Sequence, residues 1–474
     1  MRFALCPEGR SAAIGGGNAG RMLYNPAMQR RLFGTDGIRG KAGEFPLDDG
    51  TVYAIGRALA RVLADRLGRP PRIVLGRDTR ESGPRVETEL AAGILAEGGE
   101  VDASGVISTP GIAVITRLEG YDAGVIVTAS HNPFNDNGIK VFSPSGRKLD
   151  EEAERAIEAI VHESIEDSAP PVASVEEQPW HADHYREHVR TVIADGLDLS
   201  GLRLVLDCAN GAAFDQAPRL FRELGAEVWA IGVEPDGRNI NKGCGSLHLD
   251  GLQAEVVARG ADIGVAFDGD ADRALFVDAT GAVVDGDRIM FLLAVDLDER
   301  GQLDGRRVVA TVMSNIGLEL ALQNLGIALS RADVGDKYVL EELLATGTAV
   351  GGEQSGHVIF PRISLAGDGM VTALEVLRAM RRQGRSLAEL AAGMETYPQV
   401  LVNVPVREKR PFEEVEDIAE TARAVERDLA GSGRLLLRYS GTERLARVMI
   451  EGPELGTITA QAERLAVAIR ASLG

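Results

Sequence analysis

The sequence predicts an α/β protein in which strand and helix patterns alternate over most of the chain. Apolar runs are typical of buried strands, and apolar residues recur at helical spacing between them, as over residues 54–67. Three strand-to-loop units, which end at Ser130, Asn210 and Asp268, carry polar motifs and indicate related domains. After Pro398 the pattern becomes strand, helix, strand. We therefore expect repeated parallel α/β layers followed by a small α+β domain.

Individual elements follow from the same spacing rules. Apolar, strand-like runs predict strands over residues 72–76, 125–127, 204–206, 263–267, 308–310, 400–404 and 434–438. Helical periodicity predicts helices over residues 54–67, 86–96, 318–325, 370–380 and 412–429. The acidic, Pro-containing stretch 163–180 and the stretch around residues 397–398 are the predicted linkers.

The length, net charge and cysteine content of the chain indicate the number of domains, the kind of partner and the cellular compartment to expect. A chain of 474 residues exceeds what one core usually organises, so several domains are expected. The net charge of -20 argues against nucleic acid or an anionic membrane as the main partner, although local arginines can still bind an anionic substrate. The three cysteines show no zinc-type spacing and fit a reducing compartment, and no apolar stretch is long enough to span a membrane. We expect a cytoplasmic protein.

Ser130 lies just after an apolar strand, in the segment TASHNP (128–133). A serine carried out of a strand end lies at the sheet edge where open α/β proteins bind their ligands. A lone serine before Asn-Pro is more often a turn residue, and His131 beside it has a purely structural interpretation as well. A phosphate on Ser130 would supply oxygen ligands for a divalent cation, which is the functional interpretation.

An acidic triplet follows a second apolar strand, in DGDADR (268–273). The carboxylates of Asp268, Asp270 and Asp272 alternate, so they converge on one side of an extended or looped segment. Three clustered carboxylates repel one another unless a cation lies between them, and oxygen ligands suit Mg²⁺ or Ca²⁺. The EF-hand pattern fails because Arg273 occupies its glycine position, which leaves a solvated acidic turn as the alternative.

Two further polar loops follow strands. GEQSGH (352–357) places Glu353 and Ser355 where they suit sugar hydroxyls, although a plain turn explains the pattern equally well. RYSGTE (438–443) combines a guanidinium, hydroxyls and exposed amides, a donor set that suits phosphate, and Arg447 is placed to complete it.

The Gly-rich segment FGTDGIRG (33–40) adds one arginine, Arg39, and Lys140 follows soon after the TASHNP segment. A desolvated lysine there serves as a general acid or base, or neutralises phosphate. An ordinary surface lysine is the competing interpretation.

Together these segments resemble the α-D-phosphohexomutase superfamily from about Met28 to the C-terminus, because the motifs occur in the right order. The resemblance implies three related α/β domains and a C-terminal α+β lid domain that binds phosphate, arranged around a central cleft. The implied divisions are a disordered or over-called leader (1–27), a phosphoserine-loop domain (28–180), a metal-loop domain (181–285), a sugar-binding-loop domain (286–397) and the phosphate-binding domain (398–474).

The resemblance also implies a reaction. Segments 31–40, 239–246 and 334–336 are similar to the branch that converts glucosamine 6-phosphate to glucosamine 1-phosphate for UDP-N-acetylglucosamine synthesis. This branch implies Mg²⁺, a phosphorylated Ser130, a hexose 1,6-bisphosphate activator and, as a candidate assembly, a homodimer. The implicated residues are, for catalysis, Ser130, Lys140, His131, Arg39 and Arg273; for the metal, Ser130, Asp268, Asp270 and Asp272; for the sugar, Glu353, Ser355 and His357; and for the phosphate, Arg438, Ser440, Gly441, Thr442 and Arg447.

Three positions depart from the usual pattern of that branch. Arg444 replaces a proline after SGTE, Lys337 stands where arginine is frequent, and Leu247 replaces a threonine. Lysine at 337 keeps the charge and loses bidentate geometry. The alternatives to the glucosamine reaction are a sister mutase acting on mannose or glucose phosphates, a non-catalytic paralogue that binds sugar phosphates, and a metal-dependent phosphatase.

Overall fold

Four sheets follow one another along the chain, each built from its own stretch of sequence. The computed structural model describes residues 32–34, 36–164, 175–429, 431–440 and 444–474. Residues Leu32–Gly474 cluster as one unit. The predicted leader, residues 1–27, lies outside the described residues. Among the described helices, none combines the length and apolar character that a membrane crossing requires.

The first sheet contains the strand predicted before Ser130 over residues 125–127, which lies within β5 (Ala123–Val127). Its strands are β1 (Phe33–Gly34), β2 (Gly37–Lys41), β3 (Arg72–Arg77), β4 (Glu100–Val106), β5 (Ala123–Val127) and β6 (Asp136–Phe142). Its helices are α1 (Asp49–Leu67), α2 (Gly83–Ala96), α3 (Thr109–Leu118) and α4 (Glu151–Ser164). The strand order is β1-β2-β6-β5-β3-β4. Every residue of β5 is buried, as expected for a central strand covered on both faces.

The second sheet carries the acidic triplet. Its strands are β7 (Arg203–Asp207), β8 (Glu227–Ile231), β9 (Ile263–Phe267), β10 (Ala274–Asp278) and β11 (Val283–Val284), in the order β11-β10-β9-β7-β8. Its helices are α5 (Trp180–His188), which continues as a π-helix over Val189–Ile193, α6 (Gln216–Glu223) and α7 (Asp250–Arg259). A short 3₁₀ turn covers Gly245–Leu247.

The third sheet is smaller and more heavily covered by helices. Its strands are β12 (Arg307–Thr311), β13 (Ala328–Ala332), β14 (Gly351–Gly352) and β15 (Val358–Ile359), in the order β13-β12-β14-β15. Its helices are α8 (Gly286–Glu299), α9 (Ile316–Asn324), α10 (Asp336–Thr346), α11 (Gly369–Gln383) and α12 (Leu387–Ala391), and Asp304–Arg306 form a 3₁₀ turn.

The fourth sheet is antiparallel and closes the chain. Its strands are β16 (Gln399–Pro405), β17 (Arg434–Tyr439) and β18 (Leu445–Glu451), with β18 in the middle, and its helices are α13 (Glu416–Leu429) and α14 (Leu455–Leu473). The prediction of one helix over 412–429 is wrong at its start. Phe412–Glu414 form a 3₁₀ turn, and Val415 has extended dihedrals (φ −105°, ψ 101°) that break the helix before α13 begins.

The first three sheets repeat one pattern, which confirms the expectation of related α/β domains. In each, a central strand is parallel to the strands on both of its sides, and one of those two strands is followed at once in the sequence by its own antiparallel partner: β4-β3-β5-β6, β8-β7-β9-β10 and β13-β12-β14-β15. The expected parallel strands are present in all three sheets, and each sheet also contains antiparallel pairing that the sequence analysis did not predict. The antiparallel partners arise because connections of a few residues allow only a hairpin, whereas a parallel return needs a long crossover.

Candidate functional site

The four motif loops occupy equivalent places in the fold. Residues 128–135 join β5 to β6, 268–273 join β9 to β10, 353–357 join β14 to β15, and 440–444 join β17 to β18. Each loop thus follows the carboxyl end of a strand and turns back into an antiparallel neighbour. The first three loops contact one another through the residues described below.

Ser130 points at the metal loop from a strained backbone position. Its φ of 52° lies in the left-handed region, which a non-glycine residue adopts at a cost. The Ser130 amide donates to Thr128 Oγ1 at 2.9 Å, and this bond holds the turn. The Ser130 hydroxyl donates to Asp268 Oδ2 at 2.6 Å and lies 3.3 Å from His131 Nδ1. The predicted nucleophile and the predicted metal ligand are therefore in direct contact.

The acidic triplet forms a buried cluster. One carboxylate oxygen from each of Asp268, Asp270 and Asp272 lies within 4.8 Å of the others. Burial and the two neighbouring carboxylates raise the pKa of Asp268 well above its ordinary value. Asp270 Oδ1 and Asp272 Oδ1 are buried and accept no hydrogen bond from the described residues. Clustered, underused carboxylate oxygens beside a serine hydroxyl are a donor set that fits a hard divalent cation such as Mg²⁺.

Lys140 supplies positive charge to this cluster. Its Nζ lies 3.0 Å from Asp270 Oδ2, 3.2 Å from Asp272 Oδ2 and 3.4 Å from Asp36 Oδ2, and its side chain is 1% exposed. Burial alone would lower the pKa of Lys140, but the facing carboxylates raise it well above its ordinary value. Arg39 reaches the same group, because it forms an ion pair with Asp36. Lys140 is thus a charged donor and not an ordinary surface lysine.

His131 and Arg273 are neighbours of Ser130 and Asp268, respectively. Burial, with the nearby charges of Arg273 and Arg39, lowers the pKa of His131 to about 4, so its imidazole is neutral at pH 7. The Arg273 backbone amide donates to Asp268 Oδ1 at 3.2 Å. Its guanidinium lies 3.8 Å from Asp272 Oδ1, and its side chain is 20% exposed.

The predicted sugar-binding loop joins the site through His357. His357 Nδ1 lies 3.6 Å from Asp272 Oδ1, and its Nε2 lies 3.9 Å from Asp336 Oδ2. Although burial would lower the pKa of His357, these carboxylates raise it to about 9. Glu353 accepts from the Ser355 hydroxyl at 3.2 Å and from the Gly335 amide at 3.1 Å. Both side chains of that pair are partly exposed.

The predicted phosphate loop presents paired guanidinium groups. Arg438 and Arg447 lie opposite each other on β17 and β18. Burial and the charge of Arg447 lower the pKa of Arg438, and the charge of Asp333 opposes this shift in part. Arg447 Nη2 lies 3.5 Å from Ser440 Oγ. The other two predicted residues of this loop, Gly441 and Thr442, lie outside the described residues.

Sequence reasoning missed several polar groups that organise the site. Arg80 and Asn241 donate to carbonyls of the Ser130 loop, and Thr109 Oγ1 donates to Asp270 Oδ2 at 2.6 Å. Lys148 bridges Asp36 and Asp336. Local signals existed for some of them, because Asp36, Asn241 and Asp336 all lie in segments singled out for their resemblance. Arg80, Thr109 and Lys148 carry no local signal, since their partners are distant in the sequence.

Comparison with known families decides the relationship. Models of four successive domains described as phosphoglucomutase/phosphomannomutase match this chain: α/β/α domain I over residues 30–168, domain II over 183–281, domain III over 285–397 and the C-terminal domain over 401–470. The chain belongs to the phosphoglucomutase/phosphomannomutase family. The order of the matched domains is the order of the four sheets.

Relatives within this family share nearly half of the sequence. A phosphoglucosamine mutase of Solibacter usitatus is 48% identical over 449 residues, which cover 94% of this chain and 100% of the relative. A phosphoglucosamine mutase of Pseudomonas paraeruginosa is 47% identical over 441 residues, with coverage of 93% and 98%. The homologues identify the chain as an isomerase of the phosphoglucosamine mutase type.

Solved structures of the family share the fold. A phosphoglucomutase/phosphomannomutase family protein from Burkholderia thailandensis superposes with a TM-score of 0.76 at 26% identity, covering 94% of this chain and 98% of that one. The N-acetylphosphoglucosamine mutase of Aspergillus fumigatus, solved in complex with GlcNAc-6P and magnesium, superposes with a TM-score of 0.64 at 19% identity, covering 94% and 96%.

Proposed function

We propose that this protein is a phosphoglucosamine mutase that interconverts glucosamine 6-phosphate and glucosamine 1-phosphate through phospho-Ser130 and a bisphosphorylated sugar. The observation that carries the proposal is the 2.6 Å hydrogen bond from the Ser130 hydroxyl to Asp268, within a buried carboxylate cluster. That contact supports the assignment, because it brings the proposed acceptor of the phosphoryl group next to carboxylates that could hold a divalent cation. The relatives at 48% and 47% identity support the glucosamine substrate.

The reaction is two transfers that run in opposite directions. In the first, the bond between phosphorus and Ser130 Oγ breaks, and a bond to the free sugar hydroxyl forms as that hydroxyl loses its proton. The bisphosphorylated sugar then reorients within the site, so that its other phosphate faces Ser130. In the second transfer the bond between the other phosphorus and its sugar oxygen breaks, that oxygen takes up a proton, and Ser130 Oγ forms the new bond to phosphorus, so the enzyme is regenerated in its phosphorylated form. A hexose 1,6-bisphosphate serves as activator because it is the intermediate itself.

Asp268, Asp270 and Asp272 would hold Mg²⁺ together with an oxygen of phospho-Ser130. When bound, this ion neutralises charge on the group being transferred. The donor set supports this assignment, since it consists of oxygen atoms only and includes buried oxygens without hydrogen bonds from the described residues.

Charged side chains around the triplet would stabilise the transferred phosphoryl group and move the proton of the sugar hydroxyl. Arg39 and Arg273, whose charges both act on His131 beside the nucleophile, would stabilise the negative charge that spreads over the transferred phosphoryl oxygens. Lys140 is the candidate acid/base group; because buried carboxylates next to the nucleophile hold its ammonium protonated, it would act as the acid. The imidazoles of His131 and His357 are the alternative groups for moving the proton of the sugar hydroxyl.

Two further loops would position the substrate. Glu353 and Ser355 are already hydrogen-bonded to each other, and they offer an acceptor and a hydroxyl to the sugar in either orientation. His357 anchors this loop to the metal loop. The non-reacting phosphate would be gripped by the fourth sheet and its loop, through Arg438, Ser440, Gly441, Thr442 and Arg447.

Several coarser assignments accompany the proposal. We propose that the four sheets correspond to the divisions 28–180, 181–285, 286–397 and 398–474, with the last acting as the lid over the site. Free Cys208 and Cys244 suit the reducing cytoplasm as the site of action. A homodimer is the candidate assembly, which sedimentation of the purified protein would test.

The test is a comparison of substrates. Purified protein with Mg²⁺ and a trace of hexose 1,6-bisphosphate is expected to show the highest kcat/KM for glucosamine 6-phosphate, with mannose 6-phosphate and glucose 6-phosphate behind it. Ser130→Ala should abolish turnover, because no other group described at the site is placed to carry the phosphoryl group. A preference for mannose or glucose would assign the protein to the sister mutases. Steady phosphate release without isomerisation would indicate a phosphatase.

A further inference from the structure

The loop that carries Ser130 is held by two side chains that donate to the same carbonyl oxygens. Arg80 Nη2 lies 2.8 Å from Ser130 O and 2.9 Å from Asn132 O. Asn241 Nδ2 lies 2.9 Å from Ser130 O and 3.1 Å from Asn132 O. Each carbonyl thus accepts one bond from the first sheet's side and one from the second sheet's side.

Arg80 fixes the loop within its own sheet. Its side chain is fully buried, and its Nε donates to Asp78 Oδ2 at 2.9 Å directly after β3. Nη1 donates to Asp136 O at 3.0 Å and also to Pro133 O, so the guanidinium spans the loop from Ser130 to the start of β6. A planar fork of donors is suited to holding several carbonyls at once. This contact sets the shape of the loop.

Asn241 belongs to a segment that is rigidly joined to the second sheet. Its backbone amide donates to Ala209 O at 2.9 Å, just after β7, and its φ of 59° is left-handed. Four residues later the Gly245 amide donates to the buried carboxylate of Asp207 at 2.8 Å. Asn241 is 8% exposed. The position of its side-chain amide is therefore fixed relative to the second sheet, which also carries Asp268.

The two loops also touch directly at this point. A Cβ on Gly269, in the metal loop, would lie 2.5 Å from Ser130 O. The nucleophile loop is therefore pressed against the metal loop, and the Asn241 amide is the polar contact beside that close approach. Its hydrogen bonds join the Ser130 loop to the sheet that carries Asp268.

We propose that Asn241 is a positioning residue that aligns Ser130, on the first sheet, with the metal loop of the second sheet. Asn241 does not touch the sugar or the reacting atoms. It acts through the Ser130 carbonyl, so its loss displaces the nucleophile and leaves the sugar-binding and phosphate-binding loops in place. The inference rests on the proposed mutase reaction, because alignment matters only if Ser130 carries the phosphoryl group.

The Asn241→Asp variant tests this directly. A carboxylate is nearly the same shape as the amide, but it has no proton to donate and faces two carbonyl oxygens, so it repels the loop. Displacements of about 1 Å cost on the order of 100-fold in rate, and we expect a loss of that size in kcat with KM nearly unchanged. Asn241→Ala, which removes the donor without adding charge, should lose less.

Asn239→Asp is the matched control. Asn239 lies in the same segment, but its amide donates to Glu234 O, within its own loop, at 2.9 Å. The Asn239→Asp variant introduces the same charge two residues away from Asn241, and it should retain the wild-type kcat. Thermal unfolding of all variants shows whether they fold, and if Asn241→Asp does not fold, Asn241→Ala carries the test alone.

Phosphate release per mutase turnover is the second readout. When phospho-Ser130 is misaligned, the sugar hydroxyl loses its advantage over water, so the bond from phosphorus to Ser130 Oγ more often breaks toward water. Asn241→Asp should therefore raise the ratio of phosphate released to sugar isomerised, and simple destabilisation would not. Wild-type kinetics in both Asn241 variants would overturn the inference while leaving the mutase function intact. Absence of turnover in the wild type would instead overturn the proposed function.

Discussion

At the scale of single residues, Gly269 shows how little space separates the two reactive loops. An added Cβ would meet Ser130 O at 2.5 Å and Asn241 Nδ2 at 2.9 Å, and neither atom belongs to a side chain free to move away. Gly269→Ala is expected to push Ser130 away from Asp268 and to lower kcat by about 10- to 100-fold. Initial-rate kinetics at saturating sugar phosphate measure this loss.

Gly251→Ala is the control for that substitution. Gly251 lies in the first turn of α7, on the same sheet, and a Cβ there would meet no atom within 4 Å. Alanine is the better helix former by up to about 1 kcal/mol, so this variant should be as stable as the wild type or more stable, with full activity. Equal kinetic losses in the two variants would contradict the steric explanation.

The residues that the sequence predicted and those that it missed differ in the range of their contacts. Asp268, Asp270 and Asp272 cluster because they are two residues apart in one short loop, so the local pattern was enough. Arg80 and Asn241 lie 50 and 111 positions from Ser130. The sequence around Arg80 does not distinguish it from a surface arginine, and the segment 239–246 was singled out without any sign that Asn241 contacts Ser130. Only the folded chain brings the two side chains to the Ser130 carbonyl.

At the scale of elements, Lys148 connects the first sheet to the third across the site. Its Nζ contacts Asp36 beside β2 and lies 2.7 Å from Asp336 Oδ2 at the start of α10. Without this ammonium, two carboxylates would face each other with less positive charge between them. Lys148→Met is expected to raise KM for the sugar phosphate several-fold. Adding Asp336→Asn should recover part of the loss, giving a coupling on the order of 1 kcal/mol.

Lys41→Met provides the comparison for the lysine prediction. Lys41 lies 3.9 Å from Glu44, and the side chains are 60% and 70% exposed, so this pair contributes almost nothing. Its removal should leave KM and stability unchanged. If Lys148→Met behaved in the same way, the contact between the first and third sheets would have no role in binding.

Elements themselves were predicted well wherever periodicity was strong. The strand expected over 263–267 is β9, with the same bounds, and the helix expected over 370–380 lies inside α11. Pairing direction was not predictable, because an apolar run is the same in a parallel and an antiparallel central strand. The break at Val415 was missed for a related reason, since its apolar neighbours continue the helical spacing through a turn that is not helical.

At the scale of the whole molecule, one buried carboxyl lies where the third sheet meets the fourth. Asp287 Oδ2 accepts from the Asn315 amide at 2.8 Å, and the Asn315 side chain bonds both to the Tyr397 carbonyl at 2.9 Å and to the Tyr397 amide at 3.0 Å. Burial raises the pKa of Asp287 from 3.8 to about 7. The charge state of this group therefore changes within the physiological pH range.

The pH dependence of stability follows from that raised pKa. Between pH 4 and 7 the folded protein binds more protons at Asp287 than the unfolded chain does, so this contribution is largest at low pH and is lost as pH rises through 7. A tenfold difference in proton affinity between the folded and unfolded chain corresponds to about 1.4 kcal/mol. The Asp287→Asn variant has no titrating group at this position and does not lose this contribution. The difference between its unfolding free energy and that of the wild type should therefore shift in favour of the variant as pH rises from 4 to 8. Parallel urea titrations of the two proteins across that range would contradict the assignment if their difference stayed constant.

The placement of the motif loops in hairpins has an evolutionary consequence. Each loop joins neighbouring strands that are already paired, so exchanging its five to eight residues for another sequence leaves the register of the sheet intact. A new sugar preference would therefore require a replacement of the 353–357 connection that keeps its outside contacts, which are those of His357 with Asp272 and Asp336 and of Glu353 with the Gly335 amide. The nucleophile loop is constrained further, because Arg80 and Asn241 donate hydrogen bonds to its main-chain carbonyls from two sheets. A change in this loop must therefore be accompanied by matching changes in both sheets.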